Sequence, residues 1–317
     1  MRNLTVSACI LLVFASCQEQ KPQKREAEYR IAYNVYLPDS SGENYDIFIM
    51  NLDGSDKRNI TNHQDIAWVY SSTPDKLLFL SDRDSSYRSF SFYSMDHEGG
   101  QVTKISDFLL RDSWLGSRKN GTEFIVNPSP KIDSVFHIID DKGELLSRVD
   151  TQLPFASDPT FSPDGKQIAF RGALKKSKRE PSFNEAIYVM KDDASDLNRI
   201  TKYPESDTTA NWFDYRAGAP RWHPSGDFIS FQSFQKGKYS LWAVSMDGSE
   251  QWKLTENPQN EGWHHWSPDG KWLVIELFDN DQTQFHIGLM EWKTKELQIL
   301  TDSSFKYQQA PVFVGVK

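Results

Sequence analysis

The 317-residue sequence has two cysteines, Cys9 and Cys17, and both fall in its first 17 residues. The body of the chain therefore has no disulfide framework, no thiol chemistry and no cysteine-based metal site. Positive charge is also in short supply. Lys and Arg number 36 against 44 Asp and Glu, giving a formal net charge of −8, so the electrostatic footprint for nucleic acid is missing. The longest leading apolar run, residues 8–14, is too short to span a bilayer. No segment from Tyr29 onward sustains a helical period. P-loop, His-Glu-x-x-His, EF-hand, dinucleotide and Gly-x-Ser-x-Gly signatures do not occur.

The leader is informative. Arg2 precedes the apolar run, which ends in Phe14-Ala15-Ser16-Cys17. Small residues immediately before a cysteine resemble the lipobox of bacterial lipoproteins, in which the cysteine is diacylated and becomes the new N-terminus. Phe14 stands where that motif usually has Leu, and the alternative is an ordinary secretory signal. The lipobox reading makes residues 1–16 a signal peptide and Cys17 the lipidation site. Residues 17–28, polar and nearly without hydrophobes, then form a flexible tether. Acyl chains at about 0.8 kcal/mol per buried methylene would hold the chain on a membrane.

Residues 29–317 are built from repeats. Phe161-Ser-Pro-Asp-Gly165 and Trp266-Ser-Pro-Asp-Gly270 are the same turn, Trp222-His-Pro-Ser-Gly226 is a variant, and Ser72-Thr-Pro-Asp75 is an eroded copy. Pro presets φ, Asp caps the turn and Gly takes the positive φ, so each reads as a hairpin between two strands. Asp75, Asp164, Asp269 and His223 are accordingly turn caps, and Phe161, Trp222 and Trp266 are inter-blade core. Units close on Ile60-Thr61, Ile105-Ser106, Val149-Asp150, Ile200-Thr201, Leu254-Thr255 and Leu300-Thr301, at spacings of 45, 44, 51, 54 and 46 residues. Third strands are expected at 45–52, 89–96, 134–140, 186–191, 239–246 and 285–292.

A four-stranded unit of this length cannot bury both faces alone, and radial packing gives a β-propeller. The reading is all-β: a six-bladed propeller of four-stranded blades. The first unit starts directly at a second strand, and Gln309-Ala310-Pro311-Val312-Phe313 matches a first strand. The C-terminal strand is thus expected to complete blade 1 and remove two open edges. Two long connections stand out: the basic 173–183 insertion, and 203–218 with Trp212, Asp214, Tyr215 and Arg216.

These motifs resemble the TolB-like (WD40-like) propeller repeat, whose pattern is aromatic-Ser-Pro-Asp-Gly, Ile-Tyr-Val-Met, Asp-Gly and a closing Leu-Thr. Phe79-Leu-Ser-Asp-Arg-Asp84 and Ile187-Tyr-Val-Met190 match it closely. The resemblance covers residues from about 29 to the end and implies the fold far more narrowly than the function. The chain lacks the N-terminal α/β domain of TolB and the hydrolase domain of prolyl oligopeptidase-type enzymes. That implies a stand-alone propeller lipoprotein of the bacterial envelope, monomeric, on the outer membrane facing the periplasm or the cell surface.

The expected function is non-catalytic binding of an envelope protein or glycan at the channel mouth, with no cofactor. Candidate ligand-binding residues are Trp212, Asp214, Tyr215, Arg216, Arg221, Glu261, Trp263 and His264. The residue two before the strand-one aromatic is Pro159, Pro220 or Pro311, with His264 in the sixth unit, and it is expected to face the channel or its mouth. His264 and His265, adjacent on one strand, would then point apart, which argues against a chelating pair. His264 could join Glu261, or Arg221 and Asp214, around an anion or a divalent metal. This distantly resembles the oligogalacturonate lyases, propellers with a His-rich metal site near the axis. In them a metal stabilises a carboxylate-derived anion while a base removes the adjacent proton. The competing reading is therefore a metal-dependent lyase acting on uronic-acid oligosaccharides, although those enzymes use more histidines and seven blades. A hydrogen-bonded structural role is the simpler account of His264.

Overall fold

Pro and Gly turns every few residues, with β-branched and aromatic runs between them, give a ring of hairpins. The computed structural model describes residues 28–38, 44–176, 183–204, 207–211 and 213–316. They form six four-stranded antiparallel sheets. Among the described residues the only helix is a 3-10 turn at Lys119–Gly121, and no helix is long and apolar enough to cross a membrane. The blades' innermost strands are Gln308–Val316, Ala67–Ser72, Gly116–Arg118, Phe155–Phe161, Arg221–Trp222 and Asn260–Trp266, from blade 1 to blade 6. The third strands fall within a residue or two of the expected ranges.

The ring closes as the repeat pattern requires. The C-terminal strand Gln308–Val316 pairs antiparallel with Glu28–Tyr36, Glu28 facing Val316 and Ile31 facing Phe313. Asn34 rivets this latch to blade 2: its Oδ1 accepts the Val69 amide at 2.7 Å. Between blades the core is apolar and aromatic. Phe79, Phe92, Phe124, Phe170, Phe231 and Phe313 are all buried, each stabilising the fold by roughly 2–3 kcal/mol relative to exposure.

Two recurrent contacts explain the repeat's polar letters. The closing Thr or Ser hydroxyl accepts the first usable amide of the third strand. Ile47, Ile187 and Ile287 donate to Thr61, Thr201 and Thr301 at 2.9 Å, and Phe92 donates to Ser106 at 3.0 Å. The Asp-Gly turn serves the seam to the preceding blade. A Cβ built on Gly54, Gly99, Gly143 or Gly248 would lie 2.9, 2.0, 1.9 or 2.8 Å from the carbonyl oxygen of Leu300, Ile60, Ile105 or Ile200. Blades 4 and 6 use Ala194 and Lys295 at the corresponding turns, also at positive φ. In four of the six seams a turn of left-handed conformation thus lets the closing segment sit against its neighbour.

This predicts a difference between two glycines of similar φ. Gly143→Ala should lower stability well beyond Gly226→Ala in urea unfolding, because Gly226 has positive φ but open space around its Cβ position. The Gly226 change should cost only the left-handed penalty, about 1–2 kcal/mol. Equal costs would mean that the seam does not depend on this close approach.

Candidate functional site

The innermost strands present two layers of side chains to the axis. Trp114, Asp158, Ala219 and Trp263 each stand seven residues before a turn glycine (Gly121, Gly165, Gly226 and Gly270), and all line one cavity of 520 Å³. Gly116, Thr160, Arg221 and His265 stand five before the same glycines and line a second cavity of 820 Å³ at the opposite end. We call the first the aromatic mouth and the second the turn mouth, because the Ser-Pro-Asp-Gly turns rim it. The intervening position holds Leu115, Pro159, Pro220 and His264, so the expected channel register is one residue off. A one-residue slip exchanges the two faces of a strand. β-Bulges between Ser157 and Thr160 and between Glu261 and His264 further break simple alternation.

The aromatic mouth is a cup of mutually tilted rings. Tyr45 and Trp68 lie 4.8 Å apart at 64°, Trp68 and Trp263 5.8 Å at 85°, Trp114 and Trp263 6.2 Å at 69°, and Tyr70 and Trp114 5.0 Å at 88°. Edge-to-face packing satisfies the ring quadrupoles. Polar groups are set among them. Asp158 accepts the Trp114 amide at 2.9 Å and the Arg171 Nε, and Arg171 Nη1 reaches Glu185 at 2.8 Å. Tyr70 donates its hydroxyl to Asp112, and burial followed by the Asp112 charge pushes the phenol well above its ordinary range. The hydroxyl therefore stays a donor at neutral pH.

The candidate residues separate. Trp263 lies in the cup. Arg221 lines the turn mouth, its Cζ 3.5 Å from the centroid of the Trp114 ring, so a guanidinium–indole stack forms the floor between the two cavities. His264 is turned into the seam between blades 5 and 6, its Nε2 2.7 Å from Ser230 Oγ. Burial, then the nearby Arg221 charge, holds it well below the ordinary imidazole range. Glu261 is fully buried and replaces the closing hydroxyl as acceptor in blade 5. It takes the Leu241 amide at 3.0 Å and the Thr255 hydroxyl at 2.6 Å, and burial raises its pKa. Neither His264 nor Glu261 reaches a mouth.

The long connection holds the rest. Tyr215 donates to Asp207 at 2.5 Å, Asp214 accepts the Asn211 amide at 2.7 Å, and Arg216 donates to the Phe183 carbonyl at 2.7 Å while lying over its ring. Trp212 and Cys17 lie outside the described residues. His223 caps its turn, accepting the Ser225 amide at 3.2 Å. Among the described residues no group of three or more His, Cys, Asp or Glu side chains is arranged to hold a metal ion. Around His264 the donor set is poor for one, since Ser230 occupies Nε2 and a guanidinium lies close by.

Trp68, Tyr70, Trp114, Asp112 and Asp158 are site residues that sequence reading passed over. For Trp114 and Asp158 the signal was present: both keep the seven-residue spacing to a turn glycine. Trp68 precedes the eroded Thr73-Pro74-Asp75 turn, and a bulge between Val69 and Ser71 shifts its register.

Behind the cup, Glu276 is buried and its Oε2 accepts the amide of Ala310, a residue at φ 49°. A Cβ on Gly262 would meet the Glu276 carboxylate at 2.4 Å, so the bulge beside Trp263 needs that glycine. Burial pushes the Glu276 carboxyl up to about 8 from an ordinary 4.5. Between those values the folded chain keeps a proton that the unfolded chain has released, so stability falls as pH rises through this window, by at most about 1.4 kcal/mol per unit. Glu276→Gln keeps an acceptor for Ala310 and should flatten the slope of stability measured between pH 5.5 and 7.5. An unchanged slope would assign it to other groups.

Comparison with known proteins agrees with this architecture. The family model described as "TolB beta propeller domain" matches residues 146–314. A "Protein TolB homolog" of Chlorobium chlorochromatii is 26% identical over 141 residues, 44% of this chain and 31% of that protein. An "Uncharacterized peptidase YuxL" of Bacillus subtilis is 28% identical over 129 residues, 39% of this chain and 18% of that protein. The similarity thus spans under a third of either relative's length. The crystal structure of TolB from Acinetobacter baumannii superposes with a TM-score of 0.68 at 17% identity, covering 90% of this chain and 66% of that one. At that identity the likeness concerns the fold alone.

Proposed function

This chain belongs to the TolB beta propeller domain family, and from that premise we propose that it is a non-catalytic binding module of the bacterial envelope. It receives a protein or glycan at the aromatic mouth. The cup of Tyr45, Trp68, Tyr70, Trp114 and Trp263 carries this reading. Binding sites favour rigid aromatic surface with a few fixed polar groups, because little side-chain entropy is lost on contact. Here the innermost strands hold Trp68, Tyr70 and Trp263, the approach to one of them holds Trp114, the third strand of blade 1 adds Tyr45, and Asp112, Asp158, Arg171 and Gln232 supply polar contacts at their edges. Such a mixture suits a sugar ring lying on an indole, or an apolar side chain of a protein loop with its backbone at the rim. The mechanism is presentation of a preformed surface, with no bond made or broken.

Anchoring follows from Cys17. Acylation there would tether the propeller through residues 17–28 to a membrane, and Gln18 after the cysteine favours the outer one. The TolB resemblance supports residence in the envelope.

Two measurements check this. Wild-type protein immobilised over solubilised envelope proteins and released wall glycans should retain a ligand, and Trp263→Ala should weaken retention about tenfold or more. Equal retention by the variant would exclude the cup as the binding surface. Cys17→Ala should move the protein from the membrane fraction to the soluble fraction, whereas a variant still pelleting with membranes would contradict the lipid tether.

A further inference from the structure

Among the described residues, Arg221 is a buried cation with no acid in direct contact with it. Its side chain is nine-tenths buried, the residue being 8% exposed. Its Nε donates to the His264 carbonyl at 3.1 Å, and its plane stacks on Trp114. Among the described residues, no hydrogen bond or ion pair engages its Nη1 or Nη2, and Nη2 is a buried donor without a partner. Asp158, the acid whose charge it feels, spends its carboxylate on Arg171, Ser113 and the Trp114 amide. Compare Arg118 on the same mouth, which meets both Glu123 and Asp192 at 2.7 Å. A guanidinium removed from water without an anion is costly, and its planar edge is shaped for two oxygens.

The neighbouring blade supplies a second donor. His265 lines the same cavity in the same layer. Its Nδ1 accepts the Phe313 amide at 3.3 Å, which leaves the proton on Nε2. Burial, then the Arg221 charge, pushes the imidazole down to about 3, so it is a neutral donor and not a competing cation. Thr160 and Ser71 bring hydroxyls to the same rim.

We propose that the turn mouth is an oxyanion site, in which the Arg221 guanidinium, assisted by His265, receives a carboxylate or phosphate group. At 820 Å³ the cavity has room for a small organic acid or phosphoester around that group. The site is separate from the aromatic mouth, on the far side of the Arg221–Trp114 floor, and does not depend on what binds there.

The test is a calorimetric titration of the full-length protein with sodium acetate and with sodium phosphate, each against sodium chloride at matched ionic strength. Saturable heat beyond the chloride control is expected from at least one anion. Acetate alone would identify a carboxylate ligand, phosphate alone a phosphoester, and both the shared oxyanion chemistry. Arg221→Met should weaken binding about tenfold or more, since a charge-assisted contact is lost. Trp263→Ala should leave it unchanged, which separates this site from the proposed binding function. If Arg221→Met does not fold, the side-chain nitrogen resonances of Arg221 in the wild type should still shift on adding the anion. No response beyond chloride, binding unaltered in Arg221→Met, or anion-induced shifts that bypass Arg221 would overturn the proposal.

Discussion

A carbonyl oxygen lying against a left-handed turn is the contact on which the ring depends. Four blades end in an Ile or Leu whose carbonyl meets the glycine turn of the next blade, and any Cβ at Gly99 or Gly143 would collide with it. In those same four blades the segment's Thr or Ser hydroxyl takes an amide from its own third strand, so one short segment closes a blade and seats its neighbour. Non-directional aromatic packing fills the seams, and the directional contacts fix the angle between blades. The pairing of residues 308–316 with 28–36 then closes the ring covalently far apart and spatially adjacent. Everything at the axis inherits its position from this geometry.

The blades were legible in the sequence because turn chemistry is local. Ser-Pro-Asp-Gly, Asp-Gly and Ile-Thr each demand a particular backbone, and their spacing counts the units. The axis was less legible because it depends on register. Pro159, Pro220 and His264 are buried and line neither cavity, while the residues on either side of each reach the channel or its mouths. Sequence alternation alone cannot say which face is inner, and the bulges add a further shift. Glu261 looks like a site carboxylate in sequence, yet it substitutes for a closing hydroxyl, a role visible only once Thr255 and Leu241 are brought to it. Trp68 belongs to a unit whose turn motif has eroded, so the strand-one repeat did not point to it, whereas Trp114 keeps the seven-residue spacing to Gly121 although the rest of that turn motif is gone.

The two ends of the channel carry different chemistry on one scaffold. One is ringed by tryptophan and tyrosine, the other by turn backbone, hydroxyls and a buried guanidinium. Arg221 belongs structurally to both, since its stack on Trp114 is the floor of the cup and its edge opens to the other side. A propeller can accommodate such asymmetry because strand-one residues two apart in sequence address opposite mouths, so each can vary without disturbing the seam.

The central claim, that the aromatic mouth is where this module meets its partner, is tested most directly by photo-crosslinking in intact cells. A benzophenone amino acid would replace Trp68 in the cup, or Leu145 on the exposed outer strand of blade 3. The account predicts a discrete adduct with an envelope protein or glycan from position 68 and none from position 145. Adducts from the outer strand with none from the cup would contradict it.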